Sequence, residues 1–210
     1  MNYPIIQFDF CQLLGNAWEV LKKNLSPLIG GFLVYVLLLS VGNVVYIGGL
    51  IISGPLMFGL FRMSQLAIRG ESIDFMVLFS GFQRFLDCFL ANLLISVFTV
   101  IGGLFCILPG LLIAVLYMPA YLFIIDRNQN FWEAMESSRQ MVMANLMPWI
   151  LLAIILWAIN LAGVMCCCIG WVVTGPLSFL VITMAYEQAC GSMPNTDPID
   201  IPVTPEAPVE

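Results

Sequence analysis

The sequence predicts an all-α polytopic membrane protein with six transmembrane helices. They are arranged as three hairpins, and each hairpin follows an interfacial amphipathic helix. Of the 210 residues, 61% are hydrophobic and only 10% are charged, whereas soluble domains are about 45–50% apolar and about 25% charged. The apolar residues also form runs of about 20, the length at which an α-helix crosses a bilayer core of roughly 30 Å. Composition and segment length together indicate an integral membrane protein.

The first and third hairpins are predicted to be parallel internal repeats, because residues 10–70 align with residues 131–191 without a gap. The offset is 121 residues, and 13 of the 61 aligned positions are identical. Glycines and prolines coincide at matched spacing, and these residues constrain the backbone most. Each unit is expected to begin and end on the same side of the membrane, so the repeats are parallel rather than inverted. The shared landmarks are Pro27 with Pro148, Gly42 with Gly163, Gly49 with Gly170, Gly54-Pro55 with Gly175-Pro176, and Gly70 with Gly191.

The first unit opens with a predicted amphipathic helix within residues 1–26, which we expect to lie in the headgroup region. Segment one covers about residues 27–47, and segment two returns to about Arg69. Pro55 either begins the second helix or kinks a helix that starts near Leu50, and the length of a full crossing favours the kink. The apolar face of the amphipathic helix consists of Phe10, Leu13, Leu14, Ala17, Trp18 and Leu21.

The middle unit, residues 71–130, shares this plan without a convincing alignment to the other two. A second interfacial stretch is predicted at residues 70–84, followed by segment three at about 86–105. Leu108-Pro109-Gly110 is the predicted turn, and segment four runs to about Ile125 and contains Pro119. The apolar face of the interfacial stretch consists of Phe75, Leu78, Phe79, Phe82 and Phe85.

The third unit begins with a predicted amphipathic helix after Asn130, which forms a capping box with Glu133. Segments five and six cover about residues 148–166 and 171–189. Residues 1–191 therefore form one membrane domain. Residues 192–210 contain five prolines and four acids, which is typical of a disordered tail.

The charges predict the orientation of the protein. All seven Lys and Arg residues lie near one set of helix ends, and the turns near residues 41–53, 101–110 and 161–175 carry no charge. Because positive residues mark the cytoplasmic side, both termini are expected in the cytoplasm. The net charge of −6 includes the four tail acids, so no nucleic-acid partner is expected.

The sequence predicts neither a metal site nor a cofactor. It contains no histidine, and its seven cysteines lack a C-x-x-C spacing. Cys106 and the run Cys166, Cys167, Cys168 would lie near the same membrane surface. They are interpreted as small residues that pack between helices, with a disulfide from Cys106 to one of the three as the alternative in an oxidising compartment.

A non-enzymatic protein is expected, because the sequence lacks the Ser-x-x-Lys, Gly-x-Ser-x-Gly and His-Glu-x-x-His motifs. The candidate site is a buried ion pair between Arg62 and either Asp126 or Glu187, since ionisable groups inside membranes are costly and often functional. The alternative is that Arg62 extends to the headgroups and that the acids mark helix ends. The predicted structural helix breaks are Gly54, Pro55, Pro109, Gly110, Gly175 and Pro176.

The order of several short motifs resembles a group of uncharacterised bacterial integral membrane proteins. These are similar to the membrane domain fused to some glycerophosphodiester phosphodiesterases. The resemblance covers about residues 8–190 and implies six helices and a bacterial inner membrane. The phosphodiesterase activity belongs to a separate soluble domain, so the resemblance brings no catalytic residues. The motifs are Gly54-Pro55-Leu56, Arg69-Gly70-Glu71, Leu78-Phe79, Gly81-Phe82, Leu108-Pro109-Gly110, Asp126, Glu133-Ala134 with Ser138, and Gly175-Pro176 with Tyr186-Glu187.

The leading functional hypothesis is an accessory, scaffold or lipid-organising subunit that packs against a membrane-protein partner or a second copy. The centres of the predicted segments are almost free of polar groups, apart from Asn43, Asn92 and Asn160. Substrate sites of secondary transporters usually combine broken helices with polar contacts at the midplane. The alternative is a transporter or pore for a small apolar or amphiphilic molecule, built around the Gly-Pro breaks.

Overall fold

The computed structural model describes residues 8–42, 48–105, 107–165 and 169–190, and these residues form helices without a β-strand. Cys106, Cys166, Cys167, Cys168, Asn43 and the predicted tail lie outside the described residues. The α-helices are α1 Phe10–Lys23, α2 Leu25–Gly42, α3 Gly48–Ile68, α4 Phe85–Phe105, α5 Ile107–Leu116, α6 Ala120–Arg127, α7 Phe131–Ala144, α8 Leu146–Met165 and α9 Ile169–Ala189; a 3-10 helix covers Phe75–Arg84.

Among the described residues, five helical segments are long and apolar enough to cross a membrane. One joins the 3-10 helix to α4, and another joins α5 to α6. The segments are Leu25–Gly42, Gly48–Ile68, Phe75–Leu104, Pro109–Arg127 and Leu146–Met165. The prediction of an all-helical protein with several helices long and apolar enough to cross a membrane is confirmed.

The helices form an inner and an outer layer. Of the most apolar 18-residue stretch of α3, 61% is buried inside the protein, against 22% of the corresponding stretches of α2 and α8. Aromatic rings connect the inner helices α3, α6 and α9: Phe61 stacks on Tyr121 at 5.9 Å and meets Phe179 edge-on at 5.0 Å. Phe123 of α6 meets Tyr186 of α9 at 5.0 Å. Since α2, α4 and α8 bury only three or four of their described residues each, they form the outer layer, and the core lies between the second helices of the hairpins.

Helices α7, α8 and α9 begin 121 residues after α1, α2 and α3, respectively. Helices α1 and α7 both follow a short polar residue and end at an asparagine, Asn24 or Asn145. The N-caps differ. Asp9 accepts hydrogen bonds from the backbone N–H groups of Cys11 and Gln12, whereas Asn130 makes no side-chain cap bond.

The predicted capping box at Asn130 is therefore wrong, because the Asn130 side chain does not bond to the backbone of α7. The N–H of Phe131 instead donates to Asp87 Oδ1 of α4 at 3.4 Å. A carboxylate from another helix thus stabilises the start of α7, and a negative charge is favourable at this end of the helix dipole.

The predicted interfacial stretch of the middle unit differs from those of the other two units. Its 3-10 helix continues directly into α4 and packs along α3. Gly59 and Gly81 make this close approach possible: a Cβ at Gly59 would meet the Leu78 carbonyl, and one at Gly81 would meet the Pro55 carbonyl. Leu78 and Gly81 are buried, whereas Phe79 and Phe82 are 42% exposed. The apolar face was predicted, but the identity of its packing partner was not.

Paired glycines join the two helices of each hairpin at its turn end. Because glycine has no side chain, the backbones can touch at these points. The paired residues are seven positions apart in every hairpin: Gly42 with Gly49, Gly103 with Gly110, and Gly163 with Gly170. Pro109 and Gly110 lie inside the first turn of α5, which begins at Ile107, so they do not form the turn that was predicted there.

The prolines of the two Gly-Pro pairs lie inside their helices, as the kink interpretation expects for Pro55. Pro55 is in α3 and Pro176 is in α9. A third interruption separates α5 from α6 at residues 117–119. There the Leu116 carbonyl accepts a hydrogen bond from Ser138 Oγ of α7 at 2.7 Å. Helix α7 therefore compensates for the backbone bond lost at the break.

Candidate functional site

The ends of α3, α6 and α9 bring together one cation and two carboxylates. Arg69 follows the last residue of α3, Asp126 is the second-last residue of α6, and Glu187 lies near the end of α9. Arg69 Nη2 lies 3.2 Å from Asp126 Oδ1, and Gln65 Nε2 donates to the same oxygen at 3.1 Å. Arg69 Nε lies 3.9 Å from Glu187 Oε1. We call these four residues the helix-end cluster.

Glu187 is the most enclosed charged member of the helix-end cluster. Its side chain is 4% exposed, whereas that of Arg69 is 50% exposed. Oxygen Oε1 of Glu187 is buried without a hydrogen-bond partner in the described part of the protein. Its distance to Arg69 is an ion-pair distance and is too long for a hydrogen bond. The attraction to Arg69 is thus electrostatic and acts on a carboxylate that water does not reach.

The prediction of Arg62 as the buried cation is wrong. Arg62 is exposed on α3, and within the described residues Arg69 makes both ion pairs with the predicted acids. The two acids that were offered as alternative partners, Asp126 and Glu187, both lie beside Arg69. The physical reason is depth: Arg69 lies at the same level as the two acids because all three helices end there, whereas Arg62 is about two turns inside α3.

Two residues with left-handed backbone conformation follow the helices that carry Arg69 and Asp126. Gly70 has a φ of 70° and Asn128 has a φ of 52°. Both follow a helix end, and such left-handed residues close α-helices. The N–H of Glu71 also reaches back to the Leu66 carbonyl at 3.0 Å. These closures hold Arg69 and Asp126 on the final turns of their helices.

A second polar group, the Asn92 cluster, lies beside the break at Gly54-Pro55. Asn92 of α4 donates to Ser53 Oγ at 2.8 Å and to the Leu50 carbonyl at 3.2 Å. The hydroxyl of Tyr121 on α6 donates to Asn92 Oδ1 at 3.1 Å. Three helices are thereby linked through one amide. No convergence of polar side chains beside Gly54-Pro55 was expected from the sequence, and the structure shows that they do converge there.

A related arrangement lies beside Gly175-Pro176. Asn160 of α8 donates to Ser178 Oγ at 2.7 Å, and Thr174 Oγ1 donates to Asn160 Oδ1 at 3.1 Å. Thr174 is the repeat counterpart of Ser53. At both Gly-Pro pairs an asparagine from an outer helix thus binds the hydroxyl just before the glycine. Asn160 belongs to the same hairpin as Thr174, whereas Asn92 comes from the middle hairpin. A Ser or Thr before Gly-Pro, with asparagine as the rare polar residue nearby, was the sequence signal for these clusters.

An apolar cavity of about 260 Å³ lies next to the Asn92 cluster. It is half-open and is bounded by α3, α4, α6 and α9 and by the break between α5 and α6. No charged side chain lines it. The lining residues are Met57, Phe61, Asn92, Ile95, Ala114, Tyr117, Met118, Tyr121, Phe179 and Ile182.

No group of three or more Cys, Asp or Glu residues in the described ranges could hold a metal ion. The described cysteines Cys11, Cys88 and Cys190 are free thiols. Cys190 lies 4.0 Å from the Met141 sulfur. The alternative disulfide from Cys106 falls on residues that are not described.

The fold and these clusters define a class: an all-helical protein with several helices long and apolar enough to cross a membrane, whose polar side chains meet between inner and outer helices. Residues of this chain are 28% identical over 100 positions to uncharacterized proteins of Mycobacterium bovis and Mycobacterium tuberculosis. The aligned part covers 48% of this chain but 31% of those proteins. The chain thus matches about a third of the length of its curated relatives. No family model and no solved structure matches the chain.

Proposed function

We propose that this protein is a non-enzymatic membrane module that acts as an accessory, scaffold or lipid-organising subunit. One observation carries the proposal. The amides of Asn92 and Asn160 are engaged in hydrogen bonds that tie helices together at the breaks. These polar groups stabilise the bundle and do not line a continuous polar path. The large apolar side chains on the outer helices, such as Leu104 and Trp157, face lipid or a partner.

Purification from native membranes in mild detergent tests this proposal. We expect the tagged full chain to retain a membrane-protein partner, or a second copy, in fixed stoichiometry. An unrelated polytopic protein of similar size with the same tag serves as the control. Recovery of a monomer without a partner or a defined lipid complement would argue against the module.

We further propose six spans in a bacterial inner membrane, with both termini in the cytoplasm. Helix α9 has 21 residues and packs among the inner helices, which supports a sixth span. The basic residues near one set of helix ends support the orientation. Reporter fusions after Gly48, Gly103 and Gly170 should report the outside, and fusions after Gly70 and Asn128 the inside. An inside signal at one of the first three would contradict this topology.

The first and third hairpins are proposed to be parallel repeats. The common offset of 121 residues between α1–α3 and α7–α9 supports this, as do the matching prolines in α3 and α9. The paired glycines, seven positions apart in all three hairpins, suggest that the middle unit derives from the same ancestor. The resemblance to membrane domains fused to glycerophosphodiester phosphodiesterases is consistent with this arrangement.

A second candidate function is transport of a small apolar or amphiphilic molecule, and the cavity favours it. The cavity is next to the part of α3 that contains Pro55 and to the break between α5 and α6. Prolines and breaks allow helices to bend during alternating access. Saturable uptake into liposomes that contain only the purified protein would favour transport over the module.

A further inference from the structure

The cavity beside the Asn92 cluster has a composition that selects its ligand. Seven of its ten lining residues are Ala, Ile, Met or Phe, and the others are Asn92, Tyr117 and Tyr121. A charged ligand would lose its hydration there without a countercharge, which is costly. Met57 and Met118 lie in the wall, and methionine adapts its shape to different apolar ligands. The wall therefore favours a neutral ligand with a hydrocarbon part.

The polar atoms of the cavity are not equally available. Asn92 and Tyr121 are hydrogen-bonded to each other. The Tyr117 hydroxyl makes no hydrogen bond with another described residue, and the backbone N–H and carbonyl of Tyr117 are bonded to Ile113 and Ala120. The Tyr117 ring packs on Phe98 at 6.4 Å. The Tyr117 hydroxyl is thus the lining group that can accept from or donate to a ligand without breaking a helix contact.

The surroundings of Tyr117 are charged but balanced. Tyr117 interacts electrostatically with Glu136 and Arg139 of α7. These two residues neutralise each other through hydrogen bonds of 2.6 and 2.9 Å. The rim at Tyr117 consequently offers hydrogen bonding without net charge.

We infer that this cavity binds a neutral single-chain amphiphile, with its hydroxyl-type head at Tyr117 and its hydrocarbon chain against Met57, Phe61 and Ile182. A cavity of about 150 Å³ holds benzene, which has six non-hydrogen atoms. On that scale a volume of about 260 Å³ accommodates about ten. The ligand is an alcohol of eight or nine carbons, or the end of a larger lipid with the same chemistry. This inference deepens the second candidate function, but it requires only binding.

The test is photolabelling of the full chain in lipid nanodiscs with a diazirine-bearing octanol. We expect adducts on Met57, Tyr117 or Met118, and protection by 1-octanol at concentrations at least ten-fold lower than by octanoate. Label spread over the outer helices without protection would overturn the inference. Equal protection by octanoate would overturn the neutral head.

One variant and its matched control make the test specific to the cavity. Ala114→Phe fills the opening, and Ala158→Phe adds the same bulk to an exposed alanine of α8 away from it. We expect at least a ten-fold loss of protected labelling in the first and none in the second. Equal labelling in both would reject the site.

Tyr117→Phe tests the head group without changing the cavity volume. Because one hydrogen bond is lost, the preference for 1-octanol over n-nonane as competitor should fall about five-fold. An unchanged preference would overturn the role of the hydroxyl. Specific labelling without liposome uptake would reject transport and leave the binding site intact.

Discussion

Replacement of Arg69 by glutamine should destabilise the protein, because Arg69 forms ion pairs with two carboxylates at the helix ends. Breaking a buried ion pair costs about 3–5 kcal/mol, whereas exposed pairs contribute about 0.2–1 kcal/mol. Arg69 is half exposed, but Glu187 is 4% exposed and lies 3.9 Å away. We therefore expect a loss of about 1–2 kcal/mol, between these limits.

Thermal unfolding in detergent measures this loss. For a chain of this size each kcal/mol corresponds to about 2–4 °C, so Arg69→Gln should lower Tm by about 2–8 °C. Arg62→Gln is the matched control on the same helix. Because Arg62 is exposed, its effect should stay within about 0.5 kcal/mol.

The double variant identifies the cause. Glu187→Gln in the Arg69→Gln background should restore at least half of the lost stability, since the cost lies in the unpaired buried carboxylate. Equal losses in Arg62→Gln and Arg69→Gln would refute the reasoning. A double variant no more stable than Arg69→Gln alone would refute the assignment to Glu187.

Three further predictions concern a close helix contact, a buried hydrogen-bond cluster and an exposed ion pair. Gly59→Ala should cost about 1–3 kcal/mol in detergent unfolding because its methyl group meets the Leu78 carbonyl; Gly15→Ala, with open space around it, should be neutral or stabilising. Asn92→Leu should cost about 1–2 kcal/mol, because the Tyr121 hydroxyl loses its acceptor and Ser53 Oγ loses a donor. Adding Tyr121→Phe should cost little more, and additive losses would contradict the shared cluster. Hydrogen bonds from Arg139 lower the pKa of Glu136 to about 2, so its stabilising effect should be present above about pH 4.5 and disappear towards pH 2. The Tm difference between wild type and Glu136→Gln should vanish over that range, and a difference that persists at pH 2 would exclude the pair as its source.

The sequence predicted the helical class and most helix positions because apolar length and glycine spacing are local properties. It also located Asp126 and Glu187 at helix ends on the same side of the membrane, as alternative partners for one cation. It misidentified the cation for a specific reason. Arg62 and Arg69 are seven residues apart and face nearly the same direction, so periodicity cannot separate them. Arg69 is the partner because α6 and α9 end at the same height as α3, and this relation is visible only in the structure.

The contact between the 3-10 helix and α3 was not predictable from hydrophobic periodicity. The face around Leu78 was recognised, but a bilayer surface and a neighbouring helix require the same apolar pattern. The distinguishing signal was the pair Gly59 and Gly81, since small residues at a membrane helix interface allow close backbone approach. The Asn92 cluster was missed for a similar reason: a lone asparagine does not reveal which hydroxyl it meets across 39 residues of chain.

The layered arrangement has a consequence for biogenesis. In the first and third hairpins the outer helix precedes the inner one along the chain, and α2 and α8 are the more apolar members. The inner helix α3 carries Arg62 and the inner helix α9 carries Glu187, and such charged residues are unfavourable for insertion through the translocon. In the proposed six-span topology, each of these inner helices leaves the ribosome after its more apolar partner. The synthesis order then presents Gly42 or Gly163 of the first helix before the second helix of the hairpin packs against it.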